Sequence, residues 1–200
     1  MASLWSGLLL RIAKHWIAGE TREDAMLRAQ QSNAHNVRGI INLLGEELSV
    51  REEAAAAADE YLEILKTLET RHIQSCISVK PTQLGLAIDE SLFKDNLGKI
   101  LDFAKSLGNF VWMDMEGSPY TAQTVDSYLE LRKKFDNLGI AIQAYLKRSQ
   151  EDVDRILESG GVIRLCKGAY NESPKIVYKR KDEINENYSK LMRMMFERGK

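Results

Sequence analysis

Several charged or amide side chains lie inside or directly after apolar segments of this sequence, where charged residues are rare. They are Lys80, Asp114, Glu116, Gln143, Arg164 and Lys167. A charge that leaves water is stable only beside an opposite charge or several hydrogen-bond donors. These positions therefore indicate a concave site that combines amines, carboxylates, an amide and a guanidinium.

Lys80 follows the apolar run 77–79, so we expect its ammonium group to project from a strand end into that site. There it could pair with a carboxylate or form a Schiff base; a lysine that simply reaches solvent is the alternative. Asp114 needs a cation if it is buried, and Lys80 is the partner that we predict. For Asp114 the alternative is a purely structural ion pair, and for Glu116 it is a solvated loop acid or a charge at a helix N-terminus.

Arg164 is flanked on both sides by apolar residues of the segment 162–166, where an unpaired guanidinium is not tolerated. It needs an acid or an anionic ligand, and pairing to Asp114 alone is the structural alternative. Lys167, followed by Gly168 and Ala169, adds a second cation and a close backbone approach. Such a strand end suits a phosphate or an electron-accepting ring.

Gln143 lies between Ile142 and Ala144 in an otherwise apolar segment, so its amide must find partners inside the fold. A glutamine amide both donates and accepts hydrogen bonds, which suits the pyrimidine edge of a flavin or a nucleobase. A buried amide that closes a network between strands is the equal alternative.

The composition is that of a globular protein, since 44% of the 200 residues are hydrophobic and 28% are charged. The formal net charge is -1, so no overall field would attract nucleic acid or an anionic membrane. The two cysteines, Cys76 and Cys166, make neither a disulfide framework nor a zinc site. The histidines are His15, His35 and His72. Their spacing fits no metal site, and we expect no bound metal.

The apolar patch at 8–10 is interrupted by Arg11 and Lys14, which makes it too short for a secretory leader or a membrane span. We therefore expect a cytoplasmic protein. The charge balance gives no support for an anchor, and peripheral contact with the inner face of a membrane is left open.

Strand and helix patterns alternate five times along the chain. We predict strands at 39–45, 74–79, 110–115, 140–145 and 162–166, and helices at 51–68, 90–107, 122–138, 150–159 and 182–198. Such alternation predicts an α/β fold with parallel strands. Helical spacing also runs through 3–36, where Thr21 and Asp24 predict a capping box, and Ser49 is expected to cap the helix at 51–68.

Four of the five predicted strands end in polar clusters, which favours a β/α barrel over a doubly wound sheet. In a barrel the carboxyl ends of all strands converge on one mouth. A dinucleotide-binding sheet would instead carry a glycine-rich first turn, and the sequence contains no GxGxxG or Walker motif.

Four segments, in order along the chain, resemble segments of the proline dehydrogenase family. Arg164–Tyr170 is similar to the family's RLVKGAY, with Cys166 where valine is usual, and the others are Lys80–Gly85, Asp114–Pro119 and Gln143–Leu146, which are similar to KxTQLG, DMEDSP and QAYL. The likeness begins earlier, at Ala18–Thr21 and Asn42–Glu46, and covers nearly the whole chain.

The resemblance implies a (β/α)8 TIM barrel that binds FAD non-covalently, oxidises L-proline to 1-pyrroline-5-carboxylate and passes the electrons to a quinone. It implies that Asp114 and Arg164 are catalytic and that Lys80 and Tyr170 bind the substrate. The residues that it places against FAD are Met115, Gln143, Cys166, Lys167, Gly168 and Ala169.

The resemblance also implies a domain organisation, with residues 1–37 as a helical lead-in and 38–200 as the first part of the barrel. About five of the eight βα units are expected, with the last three absent, so the chain alone should bind FAD weakly or not at all. Two alternatives stay open, a lyase or aldolase with Lys80 or Lys167 as a Schiff-base amine, and a non-catalytic barrel fragment acting as an interaction module. The preference for proline over hydroxyproline and the oligomeric state are open.

Overall fold

The computed structural model describes residues 18–199, in which five parallel strands alternate with helices. The strands are β1 (Gly39–Asn42), β2 (Ser75–Val79), β3 (Val111–Met113), β4 (Leu138–Gln143) and β5 (Val162–Cys166). The helices are α1 (Arg22–Asn33), α2 (Arg51–Thr70), α3 (Glu90–Ser106), α4 (Ser118–Arg132), α5 (Ser149–Glu158) and α6 (Lys181–Arg198). The start of the predicted lead-in, residues 1–17, lies outside the described residues.

The strands pair in chain order, β1-β2-β3-β4-β5, and every pair is parallel. A helix joins each strand to the next, as parallel pairing requires. A doubly wound sheet would reverse its strand order at a switch point, and the described strands do not. The α/β class and the barrel-type strand order predicted from the sequence are confirmed over these five strands.

Local sequence explains why these segments form these elements. All six residues of β4 are buried, which fits a near-continuous apolar run in a strand covered on both faces. In α2 the buried residues Ala54, Ala58, Tyr61 and Leu65 recur at helical spacing and form one face. Apolar side chains thus fill the space between helices and sheet, and polar groups are left for the strand ends.

Strand register sets the positions of the groups at those ends. Val79 of β2 is level with Met113 of β3, so Lys80 and Asp114 follow their strands at the same height. Gln143 of β4 is in turn level with Cys166 of β5. The carboxyl ends of the strands are therefore aligned, and the residues that follow them share one rim.

The two predicted helix caps have different outcomes. Thr21 and Asp24 form the predicted capping box, in which the Asp24 N–H donates to Thr21 Oγ1 at 3.2 Å and the Thr21 N–H donates to Asp24 Oδ2 at 3.1 Å. The prediction for Ser49 is wrong, because Val50 occupies the N-cap position of α2 and no side chain caps that end.

The helix predicted at 122–138 is shifted in the structure to Ser118–Arg132, because the chain enters the helix at Gly117 and Pro119 lies in its first turn. Proline has no N–H to lose at that place and its fixed φ suits a helix start. The predicted C-terminal end of this helix, Leu138, was wrong because a buried apolar residue fits a helix or a strand equally well. Leu138 is the first residue of β4 and is fully buried there.

Within residues 18–199, β1 and β5 each pair with a neighbour on one side only. Ile40 of β1 is 44% exposed and Val162 of β5 is 39% exposed. A groove of about 600 Å³ lies beside β1, between α1 and α2. None of the helices in the described part of the chain combines the length and apolarity that a membrane crossing requires.

Gly139 is expected to be essential to the packing of β4 against β3. A Cβ there would stand 2.5 Å from the Trp112 ring and 3.0 Å from Phe110, so Gly139→Ala should lower the free energy of unfolding by about 1–3 kcal/mol. The matched control is Gly98→Ala in α3, where a Cβ has no described atom within 4 Å. This substitution should raise the free energy of unfolding by about 0.5–1 kcal/mol. Urea unfolding of both variants measures the difference, and equal effects at the two sites would contradict this packing.

Candidate active site

The site residues implied by the family resemblance all line one cleft of about 530 Å³ at the carboxyl ends of the strands, whereas Glu116 does not line it. They are Lys80, Asp114, Met115, Gln143, Arg164, Cys166, Lys167, Gly168, Ala169 and Tyr170. Two further residues, Glu46 and Ala141, complete the lining. The chain thus brings together groups that are up to 124 positions apart, as in the contact between Glu46 and Tyr170.

Asp114 is held by groups from β1 and β5. Arg164 Nη2 donates to Asp114 Oδ1, and Asn42 Nδ2 donates to Asp114 Oδ2 at 3.3 Å. The predicted pairing of Asp114 with Lys80 is therefore wrong. Burial raises the pKa of Asp114, and the nearby charges of Arg164 and Lys80 oppose that rise.

Arg164 is fixed by two contacts. One is the ion pair with Asp114, and the other is the face of Trp112, whose ring centre lies 5.6 Å from the guanidinium carbon. Arg164 nevertheless keeps 35% of its side chain exposed. A positive charge is thus held in a set orientation while part of it still faces the cleft.

Lys80 pairs with Glu46 instead of Asp114. Its Nζ lies 3.1 Å from Glu46 Oε2, and Tyr170 donates its hydroxyl proton to the same oxygen at 2.8 Å. The Tyr170 hydrogen bond, followed by Lys80, lowers the pKa of Glu46. Burial, followed by the bond to Glu46, raises the pKa of Tyr170.

The sequence analysis did not identify Glu46 as a site residue. The signal was present, because Glu46 follows the apolar run and glycine that end the first strand prediction. Glu46 thus follows β1 in the same way as the polar clusters follow the other strands.

Glu116 is buried, with 2% exposure, and the expectation of a solvated loop acid is wrong. Its carboxylate accepts the Thr82 N–H at 2.8 Å and the Thr82 hydroxyl at 2.7 Å. These two donors replace the water that the carboxylate loses. Burial still raises the pKa of Glu116, against the lowering effect of the Thr82 bonds.

Gln143 has one of the two roles that the sequence left open, that of a buried amide between strands. Its Nε2 donates to the carbonyls of Met115 at 2.9 Å and Glu116 at 3.1 Å, which closes a network between strands. Its Oε1 is buried and has no hydrogen-bond partner among the described residues. A buried acceptor without a donor is uncommon in native structures, and this one belongs to a side chain that lines the cleft.

The segment after β5 lines the cleft with Lys167, Gly168, Ala169 and Tyr170. Gly168 has φ +111°, and a Cβ there would overlap the ring of Tyr145, so no larger residue fits. The Lys167 Nζ donates to Asn185 Oδ1 at 2.7 Å. Burial raises the pKa of the Cys166 thiol, whose Sγ lies 3.3 Å from the Ile142 carbonyl oxygen. The thiol therefore packs within the sheet and is not set up as a nucleophile.

Within residues 18–199, no group of three or more histidine, cysteine or acidic side chains is arranged to hold a metal ion. Four charged groups of the cleft form the two ion pairs Lys80–Glu46 and Arg164–Asp114, and the fifth, Lys167, donates to Asn185.

Glu116→Gln should change how stability depends on pH. Because burial raises the pKa of Glu116, the folded protein binds a proton that the unfolded chain has already released just above the ordinary pKa. This contribution to folding is lost as pH rises through that window. Glutamine does not titrate and so removes this loss. The free energy of unfolding of the variant should therefore increase relative to wild type as pH rises above the ordinary pKa of glutamate.

Urea unfolding at a series of pH values measures this difference. Glu197→Gln, at an exposed position in α6, is the control and should keep the wild-type pH dependence. If Glu116→Gln ran parallel to wild type as well, Glu116 would not be the proton-binding group that its burial indicates.

Comparison with known proteins agrees with this geometry. The family model described as proline dehydrogenase matches residues 25–200. Proline dehydrogenase 2 of Bacillus subtilis strain 168 is 31% identical over 203 residues, which cover 97% of this chain and 67% of the relative. Proline dehydrogenase of Deinococcus radiodurans is 28% identical, over 90% of this chain and 60% of the relative.

Among solved structures, proline utilization A from Bdellovibrio bacteriovorus, inactivated by N-propargylglycine, superposes with a TM-score of 0.90 at 25% identity. The match covers 99% of this chain and 25% of that protein. The chain thus spans 60–67% of the length of these curated relatives and a quarter of this larger protein. With the family model matching most of its length, the chain belongs to the proline dehydrogenase family.

Proposed function

We propose that this chain takes part in the FAD-dependent oxidation of L-proline to 1-pyrroline-5-carboxylate, with a quinone as electron acceptor. The observation that carries the proposal is the convergence of the predicted substrate, catalytic and cofactor residues on one cleft. The names of the relatives, proline dehydrogenase in each case, support the same reaction. In this proposal residues 38–200 contribute five βα units of the barrel, and 1–37 are its helical lead-in.

Two features of the cleft support the binding of a flavin. Among the described residues no group donates to the buried Gln143 Oε1, so this oxygen could receive an N–H from a heteroaromatic ring. Gly168 allows the close approach of the backbone to a planar group. We propose that Met115, Gln143, Cys166, Lys167, Gly168 and Ala169 hold FAD. When bound, FAD supplies a two-electron acceptor for the carbon–hydrogen bond beside the substrate amine.

Arg164 and Asp114 form the catalytic pair in this proposal. Asp114 and Trp112 hold the guanidinium before any ligand binds, so little reorganisation is needed when negative charge develops in the cleft. Preorganised charge of this kind is a large term in many enzymes. Asp114 in turn offsets the positive charge of Arg164.

Lys80 is the proposed ligand of the substrate carboxylate. Its ammonium group already binds a carboxylate, that of Glu46, at 3.1 Å. Tyr170, whose hydroxyl lies 3.5 Å from Lys80 Nζ, offers a second polar group beside the same position. An amino acid carboxylate presents the same chemistry to these two side chains as Glu46 does.

The function is tested by titrating the purified chain with FAD and then measuring L-proline-dependent reduction of a soluble quinone. Arg164→Ala should lower kcat by about 100-fold or more, since it removes a preorganised charge. Arg155→Ala, which breaks the exposed pair with Asp126, is the control and should retain activity.

Near-normal turnover in Arg164→Ala would contradict the assignment. Because the chain alone is expected to bind FAD weakly at best, the assay is run with FAD in large excess, and a chain that oxidises no proline under that condition would support the non-catalytic fragment. Trapping of a carbonyl substrate on Lys80 or Lys167 by borohydride would support the lyase or aldolase.

Lys80→Ala should weaken substrate binding more than it slows the reaction. The loss of a charge-assisted bond is worth about 1.5–3 kcal/mol, so KM for proline should rise about 10- to 100-fold with a smaller change in kcat. Cyclopentanecarboxylate keeps the carboxylate of proline and lacks its nitrogen. Its inhibition constant should rise in Lys80→Ala by the same factor as KM. Lys105→Ala, at the exposed pair with Asp136, is the control. A fall in kcat at unchanged KM would place Lys80 in the chemical step instead.

A further inference from the structure

We propose that Glu116 and Thr82 act as a positioning relay for Lys80 and Glu46. In this relay the buried Glu116 carboxylate fixes Thr82, and the Thr82 hydroxyl fixes the loop that carries Glu46. Neither relay residue lines the cleft, so any effect on the site passes through the groups that they hold. The kinetic part of this inference rests on the proposed function, whereas the structural part does not.

The first step of the relay is the two-point contact between Glu116 and Thr82. Oε2 of Glu116 accepts the Thr82 N–H at 2.8 Å, and Oε1 accepts the Thr82 hydroxyl at 2.7 Å. Thr82 is fully buried and Glu116 is 2% exposed, so water does not compete for these bonds. Because the hydroxyl gives its one proton to Glu116, its oxygen can only accept from other groups.

The second step is the bond from the Glu47 N–H to that hydroxyl oxygen, at 2.7 Å. Glu47 has φ +56°, a left-handed conformation that costs a residue with a Cβ about 1 kcal/mol or more. Its side chain is exposed, so packing does not explain the conformation. A short bond from its backbone to a buried, oriented acceptor does.

The third step joins this loop to the cleft. Glu46 precedes Glu47, and its carboxylate binds both Lys80 and Tyr170. Lys80 lies two residues before Thr82, in the chain segment that provides the acceptor for the Glu47 N–H. Thr82 therefore ties together the two chain segments whose side chains form the Lys80–Glu46 pair.

The electrostatics agree with this arrangement. The charge of Lys80 lowers the pKa of Glu116 and the charge of Glu46 raises it, so the buried carboxylate interacts with both members of the pair. Gln143 binds the Glu116 carbonyl at 3.1 Å, which connects the same point to β4. Glu116 thus links the ends of β2, β3 and β4 to the loop after β1.

The relay is tested with Thr82→Val, which removes the hydroxyl at nearly constant shape, and with Thr82→Ser, which restores it. Two measurements need neither flavin nor turnover: hydrogen exchange of the Glu47 amide, and the rate at which acetic anhydride acylates Lys80 relative to Lys105. In Thr82→Val we expect both to increase about fivefold or more. Thr82→Ser should stay close to wild type in both.

A matched control is Thr124→Val in α4. Thr124 is also fully buried, and its hydroxyl has no hydrogen-bond partner among the described residues. This variant should leave Glu47 exchange and Lys80 acylation unchanged. If Thr82 had a merely structural role, Thr82→Val would lower the thermal midpoint, while both rates in the folded protein would match those of wild type; that result would overturn the relay.

If Thr82→Val does not fold, Glu116→Gln serves as the second variant. The glutamine amide can still contact Thr82, but its Nε2 donates to the Thr82 hydroxyl instead of accepting from it. The Thr82 hydroxyl proton is then no longer held toward residue 116 and away from the Glu47 N–H. We expect faster exchange at Glu47 than in wild type, and unchanged exchange would overturn the proposal. With proline as substrate, Thr82→Val should raise KM more than it lowers kcat. Failure of proline oxidation alone would count against the proposed function and leave the exchange and acylation results intact.

Discussion

The ion pair between Asp114 and Arg164 is the contact on which the site depends. Asp114 follows β3 and Arg164 lies in β5, so the pair reaches across β4. Register makes this possible: Met113 is level with Ile140, and Arg164 is level with Ala141, which places Ala141 between the two charges. A methyl group at that position leaves room for the guanidinium, whereas a larger side chain would stand between the charges.

The other polar groups of the cleft are connectors between strand ends. Asn42 joins β1 to β2 and to Asp114, Gln143 joins β4 to β3, and Glu116 joins β3 to the turn after β2. Burial raises the pKa of both Asp114 and Glu116, which shows that these carboxylates are costly to keep ionised. Apolar residues would often be more stable in such positions, so the retained charge agrees with a role in chemistry and in orientation.

Sequence alone predicted the alternation of elements and the residues that follow the strands, because apolar periodicity and strand-end polarity are local properties. It gave the pairing of Arg164 with Asp114 only as an alternative, and it did not predict the partners of Lys80 and Glu116. Lys80 and Asp114 directly follow adjacent strands at the same height. The chain turns directly after Lys80, however, and Lys80 pairs with Glu46 from the loop after β1. The sequence around Glu116 did not indicate burial, because the residue that donates hydrogen bonds to its carboxylate, Thr82, lies 34 positions earlier. Such contacts depend on loop paths, which no local pattern encodes.

The position of the ion pair in the sheet ties its strength to the edge strands. Arg164 belongs to β5, and Asn42, which holds the second oxygen of Asp114, belongs to β1. Within residues 18–199 both strands are paired on one side only, and Arg164 keeps 35% exposure. Any segment that pairs with β5 would remove water from the guanidinium and lower the local dielectric. The attraction between Arg164 and Asp114 then grows, because Coulomb energy rises as the effective dielectric falls. Pairing of the β5 edge and preorganisation of the Arg164 charge therefore depend on the same physical term, the dielectric around the guanidinium.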